Sequence, residues 1–169
     1  MTQILIKRAL ETDDWQDFRH VRLHALKSHP ESYGSNFASE NTRSDDEWRD
    51  ILESQTMGVF GAFNGKALVG LAAAYDWRYD ETGKSACLGM WYMAHEYRKC
   101  GEFVGLVELT IAWAKAQERF DRIVVSHREG NDSSKAVNQK LGFQYFMSRA
   151  DQWPDGEIVD NHFYELRIK

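Results

Sequence analysis

Apolar residues change their spacing several times along this chain, and each change marks an element. Residues 4–6, Ile-Leu-Ile, form a short apolar run that predicts an opening strand. Trp15, Phe18, Val21, Arg22, Ala25 and Leu26 then recur at helical spacing. A helix is predicted there, capped by Thr12 and ended by Pro30. Residues 28–41 carry no period and read as irregular. Ser44-Asp45-Asp46-Glu47 is a capping box, which predicts a second helix over residues 45–54. Two apolar runs, 57–63 and 67–77, flank Asn64-Gly65 and read as a hairpin; residues 86–93 read as a third antiparallel strand. The stretch 101–118 is apolar nearly all round, through Val104, Leu106, Val107, Leu109, Ile111 and Trp113. That is the profile of a helix buried against a sheet. A strand (122–126), a helix (133–141) and two strands (143–148 and 158–168) close the chain. The order β-α-α-β-β-β-α-β-α-β-β predicts a single α+β domain over residues 1–169, a mixed sheet layered with helices.

Composition narrows the class. A chain of 169 residues with 43% hydrophobic and 28% charged content has the make-up of a soluble domain with a sizeable core. Aromatic content of 13%, with six tryptophans, suggests a cleft or interface beside the core. A net charge of −5 argues against a nucleic-acid backbone as partner. Two cysteines, Cys87 and Cys100, make neither a disulfide framework nor a metal-ligand spacing, which points to a reducing cytoplasm. Residues 1–10 lack a signal-peptide apolar run, and no stretch reaches the roughly 20 apolar residues of a membrane span.

Two segments carry chemistry. Tyr97-Arg98-Lys99-Cys100-Gly101 is a basic turn running into the apolar helix. The first turn of a helix has unpaired N–H groups and partial positive charge, which suits a pyrophosphate. Gly101 removes a side chain where backbone must come close. The same charges would also serve a plain solvated turn. Further on, Asn131 precedes a short helix closed by Leu141-Gly142-Phe143. Asn131 can bond a ligand amide or simply start that helix.

With those segments in that element order, the chain resembles the GCN5-related N-acetyltransferase (GNAT) superfamily over nearly its whole length. The family's cofactor loop, R/Q-x-x-G-x-G/A, is similar to Arg98-Lys99-Cys100-Gly101-Glu102-Phe103, with Phe103 departing from the small last residue. The family's N-x-x-A-x-x-x-Y-x-x-x-G-F is similar to the run from Asn131 through Ser134 and Asn138 to Gly142-Phe143. Asn138 stands where the family often has tyrosine. The resemblance implies a mostly antiparallel sheet of about seven strands, splayed between the fourth and fifth, with about four helices.

It also implies acetyl-coenzyme A as cofactor and transfer of the acetyl group to a primary amine of a small molecule or peptide, by direct attack in a ternary complex. Residues 98–104 (Arg98, Lys99, Cys100, Gly101, Glu102, Phe103, Val104) would take the pyrophosphate. The edge at Trp91, Tyr92 and Met93 would pair the pantetheine amides, with a Met93 N–H as oxyanion donor. Asn131, Ser134 and Asn138 would bond the coenzyme arm. An amide cannot act as an acid, so Tyr145, Tyr92 or a water would replace the missing tyrosine, or the thiolate leaves unaided. Base candidates are His127, His95, Glu96 and Asp76. The acceptor is expected on residues 28–41 and the loop 150–157, with Tyr33, Phe37, Trp77, Tyr79 and Trp153 as aromatic candidates and Asp76 as acceptor-site charge. Folds of this kind are commonly dimeric, so a homodimer is compatible. The alternative is an acyl-coenzyme A-binding module that has lost catalysis, to which Phe103 and Asn138 lend support.

Overall fold

The computed structural model describes residues 4–98 and 101–169. Its frame is a seven-stranded sheet in the order β1-β2-β3-β4-β5-β7-β6. The strands are β1 (Ile6–Ala9), β2 (Met57–Asn64), β3 (Ala67–Asp76), β4 (Ser85–Met93), β5 (Arg122–Arg128), β6 (Gln144–Gln152) and β7 (Ile158–Arg167). Only β4 and β5 run parallel; the other neighbours are antiparallel. The helices are α1 (Trp15–Ser28), α2 (Phe37–Glu40), α3 (Asp45–Glu53), α4 (Glu102–Ala116) and α5 (Asp132–Lys140).

β3 shows why the core has two layers. Successive side chains of a strand face opposite sides. Leu71 and Ala73 pack with Phe18, Val21 and Trp48 of α1 and α3. Ala72 joins Leu106 of α4 on the other side, and Ala74 joins Val107. A strand buried on both faces needs the continuous apolar run 67–75, and small alanines let the helices approach closely. The apolar character of α4 follows from its place over β2 and β3.

Two expectations need correction. The opening strand begins at Ile6 rather than covering residues 4–6, because its pairing with Phe63 through Phe60 recruits Lys7, Arg8 and Ala9. Ile4 and Ile6 stay exposed while Leu5 is buried. The segment 28–41 is not wholly irregular: it holds a fifth helix, α2, capped by Asn36, whose Oδ1 accepts from the Ser39 N–H at 2.8 Å.

The capping box forms as expected. The Glu47 N–H donates to Ser44 Oγ at 3.2 Å, and the Ser44 N–H donates to Glu47 Oε2 at 2.7 Å. Ser44→Ala is expected to destabilise the fold by about 1 kcal/mol. Urea unfolding checks this, and an unchanged midpoint would remove the cap from the account.

Candidate active site

The sheet opens where β4 and β5 part. They pair only at Ser85–Arg122, Ala86–Ile123 and Cys87–Val124, so the rest of β4 has no partner strand on that side. A bulge makes the break sharper: β4 places Gly89 opposite Ala73 but Tyr92 opposite Leu71, one residue more than β3 supplies. Met90, inside the bulge, has φ of 56°, the left-handed region that a side chain rarely adopts.

Beyond the bulge the backbone alternates again. The Ala94 N–H donates to the Val69 carbonyl on β3 at 2.8 Å. Alternation therefore turns the N–H and C=O of Met93 and Trp91 toward the gap. Both carbonyls are taken by side chains. Tyr33 Oη donates to the Trp91 carbonyl at 2.8 Å, and Arg98 Nε donates to the Met93 carbonyl at 2.8 Å. The edge then presents donors, which is what an acyl oxygen or an amide carbonyl requires.

α4 starts beside this edge. Gly101, its N-cap, has φ of 80°, and, being glycine, offers no side chain to cap the helix. The N–H groups of its first turn have no intrahelical acceptor and carry the positive end of the helix dipole. Glu102 does not cap them; its carboxylate pairs with Lys7 and accepts from the Leu5 N–H at 3.4 Å. The Lys7 bond keeps that carboxyl below its ordinary range. Phe103 stacks edge-on against Trp91, with ring centroids 5.6 Å apart. Lys99 and Cys100 lie outside the described residues.

On α5, Asn131 acts as a cap: its Oδ1 accepts from the Ser134 N–H at 3.2 Å and from Ser133 Oγ at 3.0 Å. Asn138 is fully buried, at 0% exposure, and among the described residues neither its Oδ1 nor its Nδ2 has a partner. The buried Trp91 Nε1 is also unpartnered. Unpaired buried polar atoms cost stability, so a ligand that meets them would be bound at an advantage. An uncapped helix start, an edge of donors and an orphaned amide fit a ligand with a pyrophosphate and an amide-bearing arm.

The proposed bases and acids divide: Tyr92, His95 and Glu96 line one groove, while His127, Tyr145 and Asp76 lie elsewhere. His127 is 6% exposed on β5. Its Nδ1–H donates to the Arg128 carbonyl at 2.9 Å, and its Nε2 accepts from Tyr164 Oη at 3.2 Å. Burial of the ring holds its pKa below the usual imidazole range, so it is neutral at pH 7. Directly across β7 lies His162, and across β6 Ser148, all on one face. His162 Nδ1 and Ser148 Oγ are 2.5 Å apart, Ser148 Oγ and Tyr145 Oη are 2.8 Å apart, and His162 Nε2 meets Glu129. Tyr145 thus sits on the edge strand, two strands from β5.

Asp76 and Trp77 sit at the other end of β3. Asp76 is opposite Ala86, whereas Gly70 is opposite Met93, so about 20 Å of β3 separates Asp76 from the open end. Asp76 pairs with Arg119 at 2.5 Å. Trp77 packs on Phe146, Phe163 and Tyr79. Trp153 is buried and donates from Nε1 to the Val159 carbonyl at 3.2 Å, holding the β6–β7 turn. Tyr33 is buried at the gap, and burial pushes its hydroxyl up to about 12.

A groove of about 350 Å³ lies beside the end of β4. Tyr92, Ala94, His95, Glu96 and Arg98 line it from the strand side, and His24 and His29 from α1 and the residue after it. The ring of His24 meets Tyr92 edge-on, centroids 6.0 Å apart. A second, more open groove of about 580 Å³ runs along α1 past Phe37 and shares His24. Sequence reading found Tyr92, His95, Glu96, Arg98 and Phe37 but missed His24 and His29. Their one available signal was a run of polar positions on an otherwise amphipathic helix.

The comparisons agree with this architecture. A model of the acetyltransferase (GNAT) domain matches residues 5–144, so the chain belongs to that family. No curated protein matches the chain. Among solved structures, it is similar to yncA from Salmonella typhimurium with its cofactor acetyl-CoA, at TM-score 0.82 and 17% identity, covering 98% of this chain and 94% of that one. It is equally similar to a GNAT-family acetyltransferase from Streptococcus pneumoniae, at TM-score 0.82 and 17% identity, covering 98% and 99%. RimL, a ribosomal L7/L12 alpha-N-protein acetyltransferase solved with coenzyme A, superposes at TM-score 0.76 and 14% identity, covering 97% and 94%. At such identities the likeness is one of fold. Among the described residues, no helix is long and apolar enough to cross a membrane.

Proposed function

We propose that the chain is an acetyl-coenzyme A-dependent N-acetyltransferase acting on a primary amine, with coenzyme and acceptor bound together. The observation that carries this reading is the opened β4 edge, with its Met93 N–H turned into the gap beside the uncapped start of α4. The coenzyme found in yncA and RimL matches that donor set in chemistry. Here the backbone of Gly101 to Val104 would hold the pyrophosphate, the Trp91 and Met93 N–H groups the arm and the acyl oxygen, and Asn138 an amide. When bound, acetyl-coenzyme A supplies a thioester carbonyl open to an amine.

The chain's own part is to orient and to move a proton. A protonated amine cannot attack, so a base must accept its proton. His24 lines the groove beside Tyr92 with only a long 3.4 Å contact between its Nε2 and Ser28 Oγ, whereas His127 is buried with both ring nitrogens bonded. We assign the proton to His24. A thiol with an intrinsic pKa near about 8.5 is a tolerable leaving group without an acid. Tyr145, bonded to Ser148, is not needed for it.

Thiol release from acetyl-coenzyme A across a panel of diverse amines tests the activity. Tight coenzyme binding without turnover on any amine would replace the enzyme by a binding module. His24→Ala is expected to lower kcat about 100-fold with coenzyme affinity unchanged. If kcat survives in His24→Ala and instead falls in His127→Ala, the base is His127.

A further inference from the structure

We infer that the acceptor is an amine that also carries a carboxylate, and that Arg98 holds that carboxylate. This rests on the transferase reading and names its acceptor class. The resemblance would send the Arg98 side chain to the pyrophosphate; the geometry sends it to the groove. Its Nε donates to the Met93 carbonyl at 2.8 Å, and Nη2 contacts His29 Nε2 at 3.1 Å. That groove lies on the Tyr92 side of β4, facing α1, while α4 packs on the opposite, Met93 side of the sheet.

Two anchors fix the guanidinium and, among the described residues, leave Nη1 for a ligand. A planar guanidinium with fixed donors is well suited to a carboxylate. With Arg98 donating to it, His29 Nε2 is an acceptor, and the other ring nitrogen, Nδ1, lies 3.8 Å from Glu31 Oε1.

The charge around the groove decides between acceptor classes. Arg98 brings a permanent cation to the groove and Glu96 a carboxylate, so an acceptor that carries both a carboxylate and an amine can answer each. The adjoining groove adds Lys27 and His20, while its Arg19 and Asp45 pair with each other at 3.2 Å. A simple ammonium ion would leave the Arg98 guanidinium without an anion. An amine with its own carboxylate brings that counter-charge with it. The Arg98 charge also disfavours a protonated amine nearby and so eases the deprotonation that attack requires. The volume of about 350 Å³ admits a small acceptor. Its remaining part extends past His24 into the groove along α1, where Leu23 and Phe37 offer apolar contact.

The test uses matched pairs: the L-amino acids and their α-carboxamides, titrated calorimetrically into the full chain with coenzyme A present, and assayed in parallel for acetyl transfer. The carboxylate member should bind at least tenfold tighter and show a lower KM. Arg98→Gln should abolish that preference, and Arg98→Lys should restore part of it. Equal affinity within the pairs, or a preference that survives Arg98→Gln, overturns the inference and leaves the transferase reading standing. A carboxylate preference in binding, lost in Arg98→Gln, with no transfer to any member supports the anion site and overturns the transferase reading. If Arg98→Gln weakens coenzyme A itself and leaves the pairs unaffected, Arg98 belongs to the pyrophosphate and the inference falls.

Discussion

Glu40→Ala is expected to destabilise the protein by about 3–5 kcal/mol, because it strands a buried guanidinium. Arg22 and Glu40 are 5% and 3% exposed. Arg22 Nε donates to Oε2 at 3.0 Å and Nη2 to Oε1 at 2.7 Å, and Arg43 adds a bond to Oε2 at 2.9 Å. The pair ties α2 to α1, and the Arg22 guanidinium also lies 5.1 Å from the centre of the Tyr33 ring. The defect therefore reaches the hydroxyl that holds the Trp91 carbonyl, so acetyl transfer should fall as well. Urea unfolding measures the loss as a lower midpoint at unchanged slope. Replacing both partners by apolar residues should cost much less than either single change. A single-variant loss below about 1 kcal/mol would show the pair to be energetically idle.

The same pair predicts acid sensitivity. Burial alone would raise the Glu40 pKa, but the bonds and charge of Arg22, with Ser35 and Arg43, outweigh it and hold the carboxyl below its ordinary 4.5. A folded-state pKa below the unfolded one contributes stability that is fully present above the unfolded value. That stability is lost as pH falls through the folded value. Glu40→Gln, without the titrating proton, should show a shallower loss of stability below about pH 4.5 than the native chain.

The second large effect has two opposite parts. Asn138→Leu should stabilise the protein without coenzyme by about 1–3 kcal/mol, since it replaces two unpaired buried polar atoms by methyl groups of similar volume. It should also weaken coenzyme A binding at least tenfold if those atoms meet the coenzyme arm. Thermal unfolding with and without coenzyme A reads both: a higher Tm alone, and a smaller rise on adding coenzyme. A variant with undiminished coenzyme affinity would remove Asn138 from the site, and a lower Tm alone would mean that the amide has a partner in the free protein.

Much of this was legible in the residues and some was not. The capping box at Ser44, the apolar run of α4 and the turn at Gly101 each follow from local chemistry. The gap between β4 and β5 follows only from the family's motifs, because nothing in residues 85–93 announces where pairing stops. Met90 is no glycine, yet it takes a left-handed conformation inside the β4 bulge, packed against the cluster of α1 and α3, which residue type alone does not announce. Asp76 and Trp77 were grouped with the acceptor by residue type, but strand length carries them to the far end of the sheet.

Hydrophobic spacing, caps and turns by themselves determined most of the helices and strands, α2 and the bounds of β1 excepted, since those preferences act within one or two turns of chain. Glycine at position 101 and the basic turn before it determined that an anion site could form. Tertiary structure decided which way Arg98 points, which groups share a groove, and that Asn138 is buried with its amide unpaired. Those outcomes depend on contacts between residues far apart in the chain. Arg98 meets His29 only because β4 ends beside the last turn of α1.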